Sequence, residues 1–189
     1  PDSVHINNHG ADLGLGAYDK LELIDVDIST EGHLAVGSLD ELKILSTRFD
    51  EEVEFSDENL ESVLSLNQFS AGDENEKGNI YLYAHNRIAV NGLGFDEHVR
   101  EIYMDAITVD LKNVKFPDSS RVILKSRNGY PTFGEKDRKI GHVNFIKNVY
   151  HGKDAVNASF FSNDASSRIS NKRVDSGNTP AIRIQPHSN

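Results

Sequence analysis

The most constraining feature of this chain is an apolar pattern that returns about every 21 residues. Leu34, Val36, Leu42, Ile44 and Phe49 reappear 46 positions later as Ile80, Leu82, Ile88, Val90 and Phe95. A further 21 positions carry Ile88, Val90, Leu93 and Phe95 onto Val109, Leu111, Val114 and Phe116, while Ile80 and Leu82 shift by 22 onto Ile102 and Met104. In the other direction, 21 positions lead back to Leu13, Leu15, Leu21, Leu23 and Ile28. The 46-residue step implies a degenerate copy in between, expected at Val63, Leu64, Leu66 and Phe69 with its first strand blurred by the acidic run Asp50 to Glu61. The pattern resumes at Val122 and Leu124, then at Val143, Phe145 and Val149.

Within each unit the apolar residues alternate with period two, which is the spacing of a strand and not of a helix. The second strand places them at relative positions 0, 2, 5 and 7. The odd interval from 2 to 5 reverses side-chain parity, so a corner must lie there. Corners at fixed spacing make a coil, and stacked coils bury a core that no single unit can close. The expected fold is all-β: a single-stranded parallel β-helix (β-solenoid) of about six rungs, roughly 30 Å long at the usual strand spacing. A leucine-rich-repeat solenoid is the alternative, because Leu39, Leu42, Ile44 and Phe49 also fit that repeat. Thr47, Leu93 and Val114 occupy its asparagine position, and no long helical segment is evident.

The 189 residues are read as one domain. Regular rungs run over about 13–128, a loop-rich insertion over 129–141, a last rung over 142–152, and an irregular tail with a terminal strand at Ala181 to Ile184 over 153–189. No apolar run reaches the length of a membrane span. The chain starts at Pro1, so it is expected to be processed or part of something longer, with room for a removed export signal. Without cysteine it can have neither disulfides nor thiol chemistry. Residues 1–78 carry 19 acidic and 4 basic side chains, whereas 79–189 carry 11 and 16. A net charge of −10 argues against nucleic acid as a partner. In a solenoid this gradient maps onto the axis, giving opposite ends opposite charge.

The phrases Gly78-Asn79-Ile80-Tyr81-Leu82-Tyr83-Ala84, Ile88-Ala89-Val90-Asn91-Gly92 and Ile102-Tyr103-Met104-Asp105-Ala106 resemble rungs of filamentous-haemagglutinin-type and autotransporter-passenger solenoids. The block from Leu13 to about Gly152 also resembles repeat regions of large exported bacterial surface proteins. This resemblance implies export to the bacterial surface and a structural role, and it carries over no catalytic residue.

Candidate chemistry is sparse. His5 and His9 are four apart but next to Asn7, Asn8 and Gly10, which reads as a terminal loop; His33, His85, His98 and His142 fall near strand starts or turns. The acidic cluster Asp50, Glu51, Glu52, Glu54, Asp57, Glu58 and Glu61 lacks a calcium-loop spacing and reads as a solvated or partner-facing patch. Asp105, Asp110, Arg100, Arg121 and Arg127 form the only set placed to attempt polysaccharide cleavage. No residue is assigned a catalytic, cofactor-binding or metal-ligating role, and no cofactor is expected. The expected function is a non-enzymatic extracellular or cell-surface module that assembles head-to-tail with itself or with neighbouring modules. An adhesin module that binds glycan and a pectate-lyase-like enzyme are the alternatives.

Overall fold

The computed structural model describes residues 4–47, 67–131, 134–152, 154–156 and 182–186. The chain winds as a parallel β-solenoid with two faces. Sheet I contains β2 (Leu13–Ala17), β5 (Leu34–Ser38), β8 (Gly78–Ala84), β10 (Val99–Ala106), β12 (Arg121–Ser126) and β15 (Ile182–Pro186), all paired in parallel in that order. Sheet II has two limbs. Its first limb holds β3 (Lys20–Ile24) and β6 (Glu41–Leu45), and its second holds β1 (Val4–Asn8), β4 (Val26–Thr30) and β7 (Gln68–Ala71). The long strands β9 (Arg87–Phe95), β11 (Thr108–Phe116) and β13 (His142–His151) run through both limbs. A short antiparallel strand, β14 (Asp154–Val156), covers the second limb of β13. Among the described residues there is no helix, and the leucine-rich-repeat alternative goes with it.

The corner between the limbs explains the odd interval in the sequence. Asp25, Gly92, Asn113 and Asn148 occupy it with φ of 51°, 96°, 54° and 52°. A left-handed residue swings the strand direction and returns the next apolar side chain to the interior; Gly, Asn and Asp tolerate that backbone best. Side chains lace the corners together. Asn113 Nδ2 donates to Asn91 Oδ1 at 2.7 Å, and Asn148 Nδ2 donates to Asn113 Oδ1 at 3.0 Å. Asn67 plays the same part lower down, accepting from the Val26 N–H at 2.7 Å and donating to the Gly92 carbonyl at 2.9 Å.

The core is built from columns. Leu34, Ile80, Ile102 and Val122 stack in one, and Val36, Leu82, Met104 and Leu124 in the next, all buried. An aromatic column closes the second limb: Phe69 and Phe95 meet edge to face with ring centres 6.3 Å apart, and Phe95 stacks on Phe116 at 5.6 Å. Such pairs add about 0.5–1.5 kcal/mol beyond burial.

Two expectations are corrected. Leu34 pairs directly with Ile80 and Leu42 with Ile88, so the 46-residue step is one rung and leaves no space for a degenerate copy. The extra residues enter at the corner between Thr47 and Asn67, where a rung tolerates insertion without breaking its ladders. Phe69 lies in the same rung, paired with Ile28 on one side and Phe95 on the other, in the place expected for Phe49. Phe49, Val63, Leu64 and Leu66 lie outside the described residues. The second correction concerns the start of the chain: His5 is not in a loop but in β1, where Val4 and Ile6 pair with Val26 and Ile28 and Ile6 packs on the core.

The insertion after β12 is pinched at its base by Gly129 and Lys139, whose backbone groups exchange hydrogen bonds at 3.0 and 2.7 Å. In β13 the register slips by one residue at Ile146, which is why the offset to β11 changes from 34 to 35. The terminal strand expected near Ala181 appears as β15, the next strand of sheet I.

Candidate functional site

With the interior filled by apolar columns, chemistry is confined to the outward rows. On sheet II those rows are charge ladders. Glu41 meets Lys20 at 4.0 Å and Arg87 at 3.3 Å, and Lys43 meets Glu22 at 3.6 Å. Arg87 continues upward to Asp110 at 2.7 Å, whose other oxygen accepts from Asn144 Nδ2 at 2.6 Å. Alternating signs on neighbouring rungs avoid the repulsion that stacked like charges would bring.

On sheet I the outward rows change character along the axis. β2 and β5 present Gly14, Gly16, Ala35 and Gly37, which leave the backbone nearly bare. The next two strands raise Tyr81, Tyr83 and Tyr103; Tyr81 pairs with Ala35 below and Tyr103 above. The Tyr81 and Tyr103 rings are 6.3 Å apart, and Tyr81 and Tyr83 remain 40% and 39% exposed. Tyr81 is held through its hydroxyl, which accepts from Asn79 Nδ2 at 3.0 Å, and Asn79 Oδ1 in turn accepts from Arg100 Nε at 3.1 Å. Tyr83 carries the Arg127 guanidinium 5.1 Å from its ring centre. Arg127 is itself fixed by Asp105 at 2.9 Å and by the carbonyls of Ala84 and His85 at 2.6 and 3.0 Å.

The set considered for polysaccharide cleavage is divided between faces. Asp105, Arg100, Arg121 and Arg127 stand on or beside sheet I, and Asp110 stands on sheet II. Each carboxylate is engaged: Asp105 by Arg127 and by Lys125 at 3.8 Å, Asp110 by Arg87. Arg121 is paired with Glu101. The structure therefore brings together no pair of carboxylates from that set.

The histidines are likewise dispersed. His5 meets Asp27 at 3.2 Å and His9 meets Glu31 at 3.3 Å, each with its own carboxylate. His33 Nδ1 accepts from the Asn79 N–H at 2.9 Å, and His85 Nε2 lies 2.9 Å from the Tyr130 carbonyl oxygen. His98 is 3.9 Å from Asp96, and the His142 N–H donates to the Ile107 carbonyl. Sequence reasoning passed over His151, which is buried above Phe116 with Nε2 3.0 Å from the Ser120 carbonyl oxygen. Among the described residues no group of three or more His, Asp or Glu could hold a metal ion. The acidic run 50–61 lies outside them. A shallow groove of about 240 Å³ crosses the second limb of sheet II, lined by His5, Asn7, Asp27, Ser29, Gln68 and Ser70 among others.

The tyrosine ledge is the other feature that sequence reading missed as a site. Its signal was present in Ile80-Tyr81-Leu82-Tyr83, where alternation turns both rings away from the core. That Tyr103 joins Tyr81 follows only from the 22-residue register.

Coil path, ladder register and apolar columns define the class of this molecule: a parallel β-solenoid repeat protein. Compared with known proteins, the chain matches no family model, no curated protein and no solved structure.

Proposed function

We propose that the chain is a non-enzymatic structural module of a bacterial extracellular or cell-surface solenoid, one that extends along its axis by joining end to end. The observation that carries this reading is the open end at the start of the coil. Among the described residues, β2 and β3 each have a ladder partner on one side only. Their inward residues Leu13, Leu15 and Leu21 are only partly buried, although they pack on the core. An unpaired parallel edge with apolar columns showing at its end is a template for another strand.

The complementary end is β15. Successive pairings put Ile182 at the register position of Leu13, and Ile184 at that of Leu15. A second copy laid with its β15 against β2 continues sheet I in parallel and in register. Charge favours the same order: among the described residues, 4–47 carry eight acidic and two basic side chains, while 108–156 carry five and nine. Because β14 already covers the far edge of the second limb, joining proceeds through sheet I. Such a contact is heterologous and does not close, so it yields filaments and not rings.

Negative-stain microscopy with parallel sedimentation tests this, in low salt and in roughly 0.5 M salt, where the screening length falls to a few ångströms. Filaments that shorten with salt, and that are lost in a Leu15→Lys variant, are the expected result. A monodisperse rod under both conditions overturns end-to-end joining.

A further inference from the structure

We infer that the tyrosine ledge on sheet I binds an acidic polysaccharide, with sugar rings laid on Tyr81 and Tyr83 and a uronate carboxylate held by Arg100. This inference is independent of end-to-end joining.

The first argument is the state of the rings. These two are two-fifths exposed, yet both are fixed. Tyr81 is tied by Asn79, itself 9% exposed, and Asn79 by Arg100. Tyr83 is overlaid by an arginine that makes three further hydrogen bonds. Rigid tyrosines offer a large amphipathic surface that loses little conformational entropy when a ligand settles on it. The second argument is shape. Below the ledge the surface drops to Gly14, Gly16, Ala35 and Gly37, and a Cβ built on Gly14 would meet nothing within 4 Å. One built on Gly37 would come 3.8 Å from the Tyr83 ring, an ordinary van der Waals contact, so that ring lies directly beside the bare strand. The result is an open shelf with aromatic rings along one side, spaced along the strand by about 7 Å for two residues. Pyranose rings have apolar C–H faces and hydroxyl rims, and a shelf of this kind offers a surface for each.

Charge selects the class of sugar. The residues around the rings include Arg100, Arg121, Lys125 and Arg127 against Glu101 and Asp105, a local balance of +2 on a chain of −10. Glu101 and Asp105 are consumed by Arg121, Lys125 and Arg127. Among the described residues no carboxylate pairs with Arg100, whose one hydrogen bond is to the neutral Asn79. An unmatched guanidinium beside Tyr81 is suited to planar bidentate pairing with a carboxylate. A single strand of nucleic acid also stacks on aromatics, but it needs a basic groove along its whole backbone, and the floor beside these rings is uncharged.

The test is calorimetric titration of the whole chain with oligogalacturonate, with cellohexaose as a neutral probe and oligo-thymidylate as a stacking polyanion without pyranose rings or carboxylates. Oligogalacturonate is expected to bind best of the three. Tyr81→Ala and Tyr83→Ala are each expected to weaken it about tenfold, a loss in the range of one stacking contact. Arg100→Gln is expected to weaken oligogalacturonate about fivefold more than it weakens cellohexaose and to flatten the salt dependence of the former. Circular dichroism of the variants confirms that the solenoid is intact. No binding of oligogalacturonate, unchanged affinity in the Tyr81→Ala/Tyr83→Ala double variant, or tighter binding of oligo-thymidylate overturns the proposal.

Discussion

Replacing Asn113 with alanine is expected to destabilise the solenoid by about 3 kcal/mol, in two separable parts. The first part is backbone. At φ 54° the residue is left-handed, a conformation that costs an ordinary L-residue roughly 1 kcal/mol more than asparagine or glycine. The second part is the ladder. The side chain is buried, donates to Asn91 and accepts from Asn148, and each such bond contributes about 1 kcal/mol net. Asn113→Gly removes the second part but not the first, so it is expected to cost about 2 kcal/mol. Urea unfolding at a common slope resolves a difference of that size. If Ala and Gly destabilise equally, backbone hand is not what holds the corner. A loss below about 0.5 kcal/mol for Asn113→Ala would refute the ladder as well.

Two further outcomes are expected. Leu82→Ala, in the middle of a closed column, is expected to cost about 2–5 kcal/mol, while Leu15→Ala, at the open end of the same column, costs less than half as much; equal costs in urea unfolding would contradict the columnar core. The Asp73 carboxylate accepts from the backbone N–H groups of Glu76 and Asn75, and these hold its pKa below the ordinary value of about 3.9. The charged form is thus favoured by folding. The contribution is present above the unfolded pKa and is lost as pH falls through the lower folded one, so a carboxyl NMR titration should give a midpoint below that of an unfolded peptide, and a midpoint at or above it would sink the assignment.

Much of the architecture was legible in the residues alone. Period-two alternation set each strand, and the odd interval set each corner, because side-chain parity is a local geometric property. The column partners of Leu34, Ile88 and Val109 followed from spacing, since a coil repeats its path. Spacing failed where the path was interrupted. A 46-residue step is close to two repeats, and only the direct pairing of Leu34 with Ile80 reveals it as one. Likewise, nothing local says that Phe69 fills a place in the aromatic column, because the insertion before it breaks the count.

The surfaces were less legible still. Charges along the sequence are one-dimensional, whereas their pairing is decided by which rungs lie side by side: Glu41 reaches Arg87 across 46 residues, and Asp105 and Asp110, five apart, face different sheets. By itself the sequence determined that this chain coils, where it turns and which side chains point inward, because those depend on near neighbours along the backbone. Only the tertiary structure decided that the 46-residue step is a single rung, that β2 stands at the edge of sheet I and that Arg127 lies over Tyr83, because each depends on contacts between strands that lie side by side yet far apart in the chain.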